Sequence, residues 1–119
     1  LEVREIVLPG EAGVFTVLPG HTPFLTMLTA GVAVAYEEPE TPSFYALTGG
    51  IAEVRENEVR VLADAFDAGQ EIDVSRAEAA LERAEKRLKK PSSDMDVVRA
   101  ERALQRAVAR IGARKRKGY

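Results

Sequence analysis

The chain has no cysteine and one histidine, His21. Without cysteine there are no disulfides and no thiolate metal sites, and a single imidazole cannot form the cluster that holds zinc. A reducing compartment fits this composition. No apolar run approaches the roughly 20 residues that span a bilayer, and the amino end lacks the basic-then-apolar layout of a signal peptide, so a soluble mature protein is expected. At 119 residues the chain suits one domain, or a compact domain with a smaller appendage, around one modest core.

What is present divides in two. Residues 1–66 carry ten acidic and three basic side chains, a net of −7, whereas residues 67–119 carry nine acidic and fourteen basic, a net of +5. Such asymmetry implies different partners for the halves, or a partnership between them. The first half holds five of the six prolines and short apolar runs, "VREIVL", "VFTVL", "FLTML", "GVAVAY", "SFYAL", "IAEVR" and "EVRVLA", each bounded by Gly, Pro or Asn. These are strand signals, and "IAEVRENEVRVLA" reads as a hairpin turning at Glu56-Asn57. An antiparallel β-sandwich of about seven or eight strands is expected over 1–66.

Beyond Asp67 the period becomes helical. Ala77, Ala80, Leu81, Ala84 and Leu88 share one face, as do Val97, Ala100, Leu104, Ala107, Val108 and Ile111. Two amphipathic helices joined by "KPSSD" are predicted, making residues 67–119 a two-helix antiparallel hairpin. Pro91 ends the first helix and Ser93 or Asp94 caps the second. Alanine dominates the facing surfaces, so the helices approach closely while each contact buries little area, at roughly 25 cal/mol per Å².

Four motifs occur in one order: "VLPGHTPFLTML" (17–28), "LTGGIAEV" (47–54), "VRVLAD" (59–64) and "IDVSRA" (72–77). Together with a small sandwich followed by an alanine-rich hairpin, they resemble the epsilon subunit family of F-type ATP synthases. Two departures stand out. The resemblance implies that the given sequence starts after the family's first strand, which precedes the segment matching "VREIVLP", and Val14 and Thr16 stand where the family has an acidic residue and a second glycine.

The resemblance implies a non-catalytic rotor subunit of the central stalk. Its sandwich would bridge the gamma subunit and the c-ring at the cytoplasmic face of the bacterial inner membrane, and its helices would reach the alpha and beta subunits to inhibit ATP hydrolysis. It requires no cofactor and implies ATP as a regulatory ligand. The family's ATP-binding positions correspond here to Asp67, Ile72, Asp73, Arg76, Ala77, Arg83, Arg106 and Arg110. The loop Pro19, Gly20, His21, Thr22 and Pro23 corresponds to the end that faces the rotor ring.

Each feature has a plainer reading. His21 has no acidic or nucleophilic companion in its loop, and general acid–base chemistry needs a positioned partner, so "PGHTP" reads as a rigid turn. Gly49-Gly50 leads into a strand and lacks the further glycines and helix of a phosphate loop; a bulge or close backbone approach is expected. The "RKRKGY" tail is basic, but without aromatic interleaving it reads as a docking tail for an acidic protein surface, and no nucleic-acid partner is expected.

"IDVSRA" starts a helix, with Asp73 or Ser75 as cap and Ser75 and Glu78 in capping-box spacing. That leaves its arginine unexplained. Arg76 and Arg83 lie seven residues apart and Arg106 and Arg110 four apart, so each pair falls on one helix face. Arg106 and Arg110 have no acidic residue at helical spacing and repel each other by a few tenths of a kcal/mol. In a closed hairpin the four guanidinium groups converge beside Asp73. ATP binding and a purely structural hairpin both remain open on these residues, as does a rival assignment: a free-standing small-molecule sensor or adaptor of the same architecture.

Overall fold

A computed structural model describes residues 3–20 and 23–115. Six antiparallel strands come first: β1 (Glu5–Gly10), β2 (Gly13–Val17), β3 (Phe24–Glu38), β4 (Thr41–Arg55), β5 (Glu58–Ala63) and β6 (Phe66–Ala68). A 3-10 turn at Gly69–Glu71 leads to α1 (Val74–Lys89) and α2 (Asp94–Lys115). The sheet order is β2-β1-β3-β4-β5, with β6 also paired to β4.

Among the described residues six strands form where seven or eight were expected, because β3 and β4 are 15 residues each. "FLTML" and "GVAVAY" are one strand, as are "SFYAL" and "IAEVR". The glycines between them bend strands without ending them. Along β3 the core-facing residues are Leu28, then Ala33 and Ala35; along β4 they are Leu47, then Ala52 and Val54. On both strands the alternation changes parity. The change falls on paired segments, Leu28 opposite Gly50 and Ala30 opposite Thr48, and Gly49 and Gly50 there take φ of 102° and 144°. Backbone of that kind favours glycine. A Cβ on Gly50 would also collide with the Leu62 carbonyl oxygen across the ladder, so the expected close approach is present.

The bend folds one sheet around one core. Leu8 and Leu47 are its largest fully buried side chains, joined by Ile6, Val17, Leu28 and Val54. Phe15 and Phe24 close it edge to face, with ring centroids 5.4 Å apart. The β4–β5 connection turns at Glu56 and Asn57, both with positive φ (52° and 62°), as the sequence predicts for a two-residue hairpin. β6 carries the sheet to Ala68, which pairs with Tyr45. The boundary drawn from composition at 66/67 therefore cuts this last strand.

Beyond the bend, β3 and β4 are covered on both faces. Ala33, Ala35 and Leu47 point into the sandwich, while Val32, Val34, Tyr36, Phe44 and Ala46 point outward to α2. α2 meets them with Ala109 and Ala113. Its opposite side, with Ala100 and Ala107 about 200° around the helix from Ala109, carries α1. The sequence face assigned to α2 included Val108, which is 51% exposed. The second face, packed on the sheet, is made of Ala109, Gly112 and Ala113, residues too small to register as an apolar stripe. Smallness is what the site demands: a Cβ on Gly69 would strike the Ala113 carbonyl, and one on Gly112 would press on Val32.

Candidate functional site: the groove along the helical hairpin

Asp73 is the N-cap of α1, its carboxylate accepting from the Arg76 backbone N–H at 3.2 Å. The Ser75–Glu78 capping box is therefore not used, since Ser75 already lies inside the helix. Across the interhelical turn, Ser93 Oγ accepts from the Asp96 N–H at 3.1 Å and Asp96 Oδ2 accepts from the Ser92 N–H at 3.2 Å. These caps fix where each helix begins, and hence the phase of the side chains that follow.

Phase places the arginines. Arg76, Arg83 and Arg106 each precede by one residue an alanine buried in the hairpin: Ala77, Ala84 and Ala107. In an antiparallel pair, residues one step before the seam on each helix fall on the same side of it. The result is a groove of about 670 Å³, floored by Ala80, Ala84, Ala100, Ala103 and Ala107. All eight positions singled out from the sequence line it: Asp67 from β6, Ile72 after the 3-10 turn, Asp73, Arg76, Ala77 and Arg83 of α1, and Arg106 and Arg110 of α2. Glu71 and Arg87 line it too, and neither was singled out. Arg87 was within reach of the same spacing argument, because positions 76, 83 and 87 lie within about 20° of one line along the helix.

The groove is electrically polarised. Its three carboxylates, Asp67, Glu71 and Asp73, gather at the 3-10 turn and the start of α1, where Arg76 and Arg110 also lie, while Arg83, Arg87 and Arg106 continue along the helices. One arginine is not free as the sequence suggested: Arg110 Nε lies 3.5 Å from Asp67 Oδ2. The pair joins α2 to β6 across 43 residues of chain, a distance at which helical spacing has nothing to say. Among the described residues, Arg76, Arg83, Arg87 and Arg106 have no ion-pair partner. Four cations facing a shared space favour an anion between them.

The Pro-Gly loop lies at the other end of the sandwich, where β3 starts, at least eight residues and about 26 Å along that strand from the part beneath α2. Pro19, Gly20 and Pro23 are exposed there, and the Gly20 N–H donates to Asn57 Oδ1 at 2.8 Å, tying the loop to the β4–β5 turn. His21 and Thr22 lie outside the described residues, as do the last four residues of the basic tail. No described helix is long and apolar enough to cross a membrane.

Comparison with known proteins agrees with this architecture over residues 1–115. Residues 1–69 match the family model for the ATP synthase delta/epsilon chain β-sandwich domain, and residues 70–115 match that for the delta/epsilon chain long α-helix domain. The ATP synthase epsilon chain of Pelotomaculum thermopropionicum is 48% identical over 89 residues, covering 75% of this chain and 66% of that relative. The epsilon chain of Syntrophobacter fumaroxidans is 47% identical over 106 residues, covering 89% of this chain and 78% of its own length. With the first of these, the shared region spans just under two thirds of the relative. Among solved structures, a chain of the Euglena gracilis mitochondrial ATP synthase (OSCP/F1/c-ring, rotational state 1) superposes with a TM-score of 0.81 at 25% identity, covering 93% of this chain and 69% of that one. A chain from the Tetrahymena thermophila ATP synthase central stalk and c-ring shares the fold, with a TM-score of 0.59 at 12% identity over 95% of this chain and 83% of that one. On sequence, on both domain models and on fold, the chain belongs to the ATP synthase delta/epsilon family.

Proposed function

We propose that this chain is a non-catalytic epsilon-type subunit of the central stalk of an F-type ATP synthase, peripheral to the membrane on the cytoplasmic face. In this reading its sandwich joins the gamma subunit to the c-ring. Its hairpin restrains ATP hydrolysis when it reaches the alpha and beta subunits of the head. The hairpin groove is a regulatory ATP site. The observation that carries the ATP reading is the meeting of Asp73, Arg76, Arg83, Arg106 and Arg110 in one groove of the closed hairpin.

The chemistry of the groove supports a nucleotide over a bare anion. Ile72 offers an apolar face and Asp67, Glu71 and Asp73 offer acceptors at one end, as an amino-bearing base requires; the guanidinium groups beyond suit phosphate oxygens. Ligand and closure are coupled, because only the closed hairpin brings arginines of α1 and α2 to one space. A ligand shifts such an equilibrium through its differential affinity, and moving it from 1:99 to 99:1 takes about 5.5 kcal/mol. Hydrogen bonds to charged groups contribute roughly 1.5–3 kcal/mol each, so several to one triphosphate reach that figure.

Calorimetric titration of the chain with ATP, beside the Arg106→Ala, Arg110→Ala double variant, tests the site. Binding by the parent that is lost in the variant supports the reading; no binding by either makes the arginines a solvated face. Co-purification with the gamma subunit tests the assignment to the stalk, since a free-standing sensor has no reason to assemble with it.

A further inference from the structure

Arg87 is the groove residue that the ATP reading leaves without a task. It is exposed, has no ion-pair partner among the described residues, and lines the same groove as Arg76 and Arg83. At 1.5 Å per residue, Arg83 lies about 10 Å and Arg87 about 16 Å along the α1 axis from Arg76. The carboxylates are all at the opposite end, so the far part of the groove presents cations alone. Favourable interaction with the helix macrodipole accounts for Lys86, Arg87 and Lys89 near the end of α1 as a group. It does not account for the alignment of Arg87 with Arg83, four residues before it, a like-charge spacing that costs a few tenths of a kcal/mol in the absence of an anion.

We propose that the groove accepts a linear polyphosphate chain longer than a triphosphate, with Arg87 contacting the phosphates that a triphosphate lacks. The proposal rests on the reading of the groove as a phosphate site and extends its ligand class. A triphosphate seated with its base against Ile72 and the carboxylates places its phosphates among Arg76, Arg83, Arg106 and Arg110. Arg87 lies one further turn of helix, about 6 Å, beyond Arg83. A longer chain, inorganic or nucleoside-linked, carries anionic oxygens onward to Arg87 at regular intervals.

The test is calorimetric titration of the full chain at physiological salt with inorganic tripolyphosphate and with medium-chain inorganic polyphosphate. The proteins are the parent, Arg87→Gln, and a Lys89→Gln, Lys90→Gln double variant whose lost charges lie outside the groove lining. Circular dichroism establishes that each is folded. The parent is expected to bind the longer chain about tenfold more tightly than tripolyphosphate, which corresponds to about 1.4 kcal/mol. Arg87→Gln should lose most of that gain, and the lysine variant should keep it. A parent with no preference for the longer chain, or a gain that survives Arg87→Gln or vanishes equally with the lysines, overturns the proposal, the last outcome marking diffuse attraction of a polyanion. ATP titrated into the same samples separates the two readings. ATP binding without a chain-length gain sinks only this extension; a gain that depends on Arg87 without ATP binding sinks only the nucleotide assignment.

Discussion

The sandwich and the hairpin are packed by opposite means. In the sandwich, large side chains interdigitate: Leu8 and Leu47 are fully buried, and β3 and β4 hold one register from Phe24 opposite Val54 to Tyr36 opposite Pro42. In the hairpin the buried residues are Ala77, Ala84, Ala100 and Ala107 on the seam and Ala109 and Ala113 against the sheet. Methyl groups allow close approach but remove little area from water. The difference teaches where this chain keeps its stability and where it keeps its freedom. A slip in the sandwich would turn core residues outward; a helix sliding along alanine loses much less.

Four substitutions sharpen or break that contrast. The largest effect is expected for Leu47→Ala. Removing a fully buried leucine should cost about 2–5 kcal/mol, read by urea denaturation of the whole chain. A loss below 1 kcal/mol would mean that the sandwich is no better packed than the hairpin. Next is Ala113→Leu, which forces bulk between α2 and the sheet beside Gly69 and should cost about 1–3 kcal/mol. Hydrogen exchange should show protection falling in α2 and α1 while β1, β3 and β4 keep theirs; equal loss throughout would show that the two regions open as one.

Asp73→Ala removes the α1 cap and should cost about 1 kcal/mol, seen as lower helicity with the sandwich transition unchanged. The smallest effect is expected for Asp67→Asn. Its ion pair with Arg110 is partly exposed, with side chains 44% and 35% accessible, so about 0–1 kcal/mol is at stake and should fade as salt is added. An effect as large as that of Leu47→Ala would make the pair a principal fastening of α2, contrary to the alanine-and-sheet account.

Much of this architecture was legible in the sequence, and the misses share a physical origin. Strand chemistry, the Glu56-Asn57 turn and both helices stood out because each is a local pattern. The strand count did not, because Gly31 and Gly49-Gly50 look like punctuation. Gly31 in fact sits mid-strand where Pro9 presses close, and a Cβ there would lie 2.8 Å from that ring. The helix face that meets the sheet was invisible because Ala109, Gly112 and Ala113 carry so little hydrophobic signal. For the groove, helical spacing brought the arginines into line correctly, and all eight expected residues share one cavity. Glu71 and Arg87 were missed because matching to a motif selects only the motif's own positions. The Asp67–Arg110 pair was missed because only folding brings β6 beside α2.

The placing of α2 as a middle layer has a thermal consequence. Val32, Val34, Tyr36 and Phe44 are shielded by α2, not by the sandwich, so whenever α2 leaves the sheet this stripe enters water. Exposure of apolar surface raises heat capacity, and the penalty for it weakens on cooling. Release of the hairpin should thus carry a positive heat-capacity change and be easiest in the cold, with a curved dependence on temperature. The set point of any switch built on α2 would then drift with the temperature at which the organism grows.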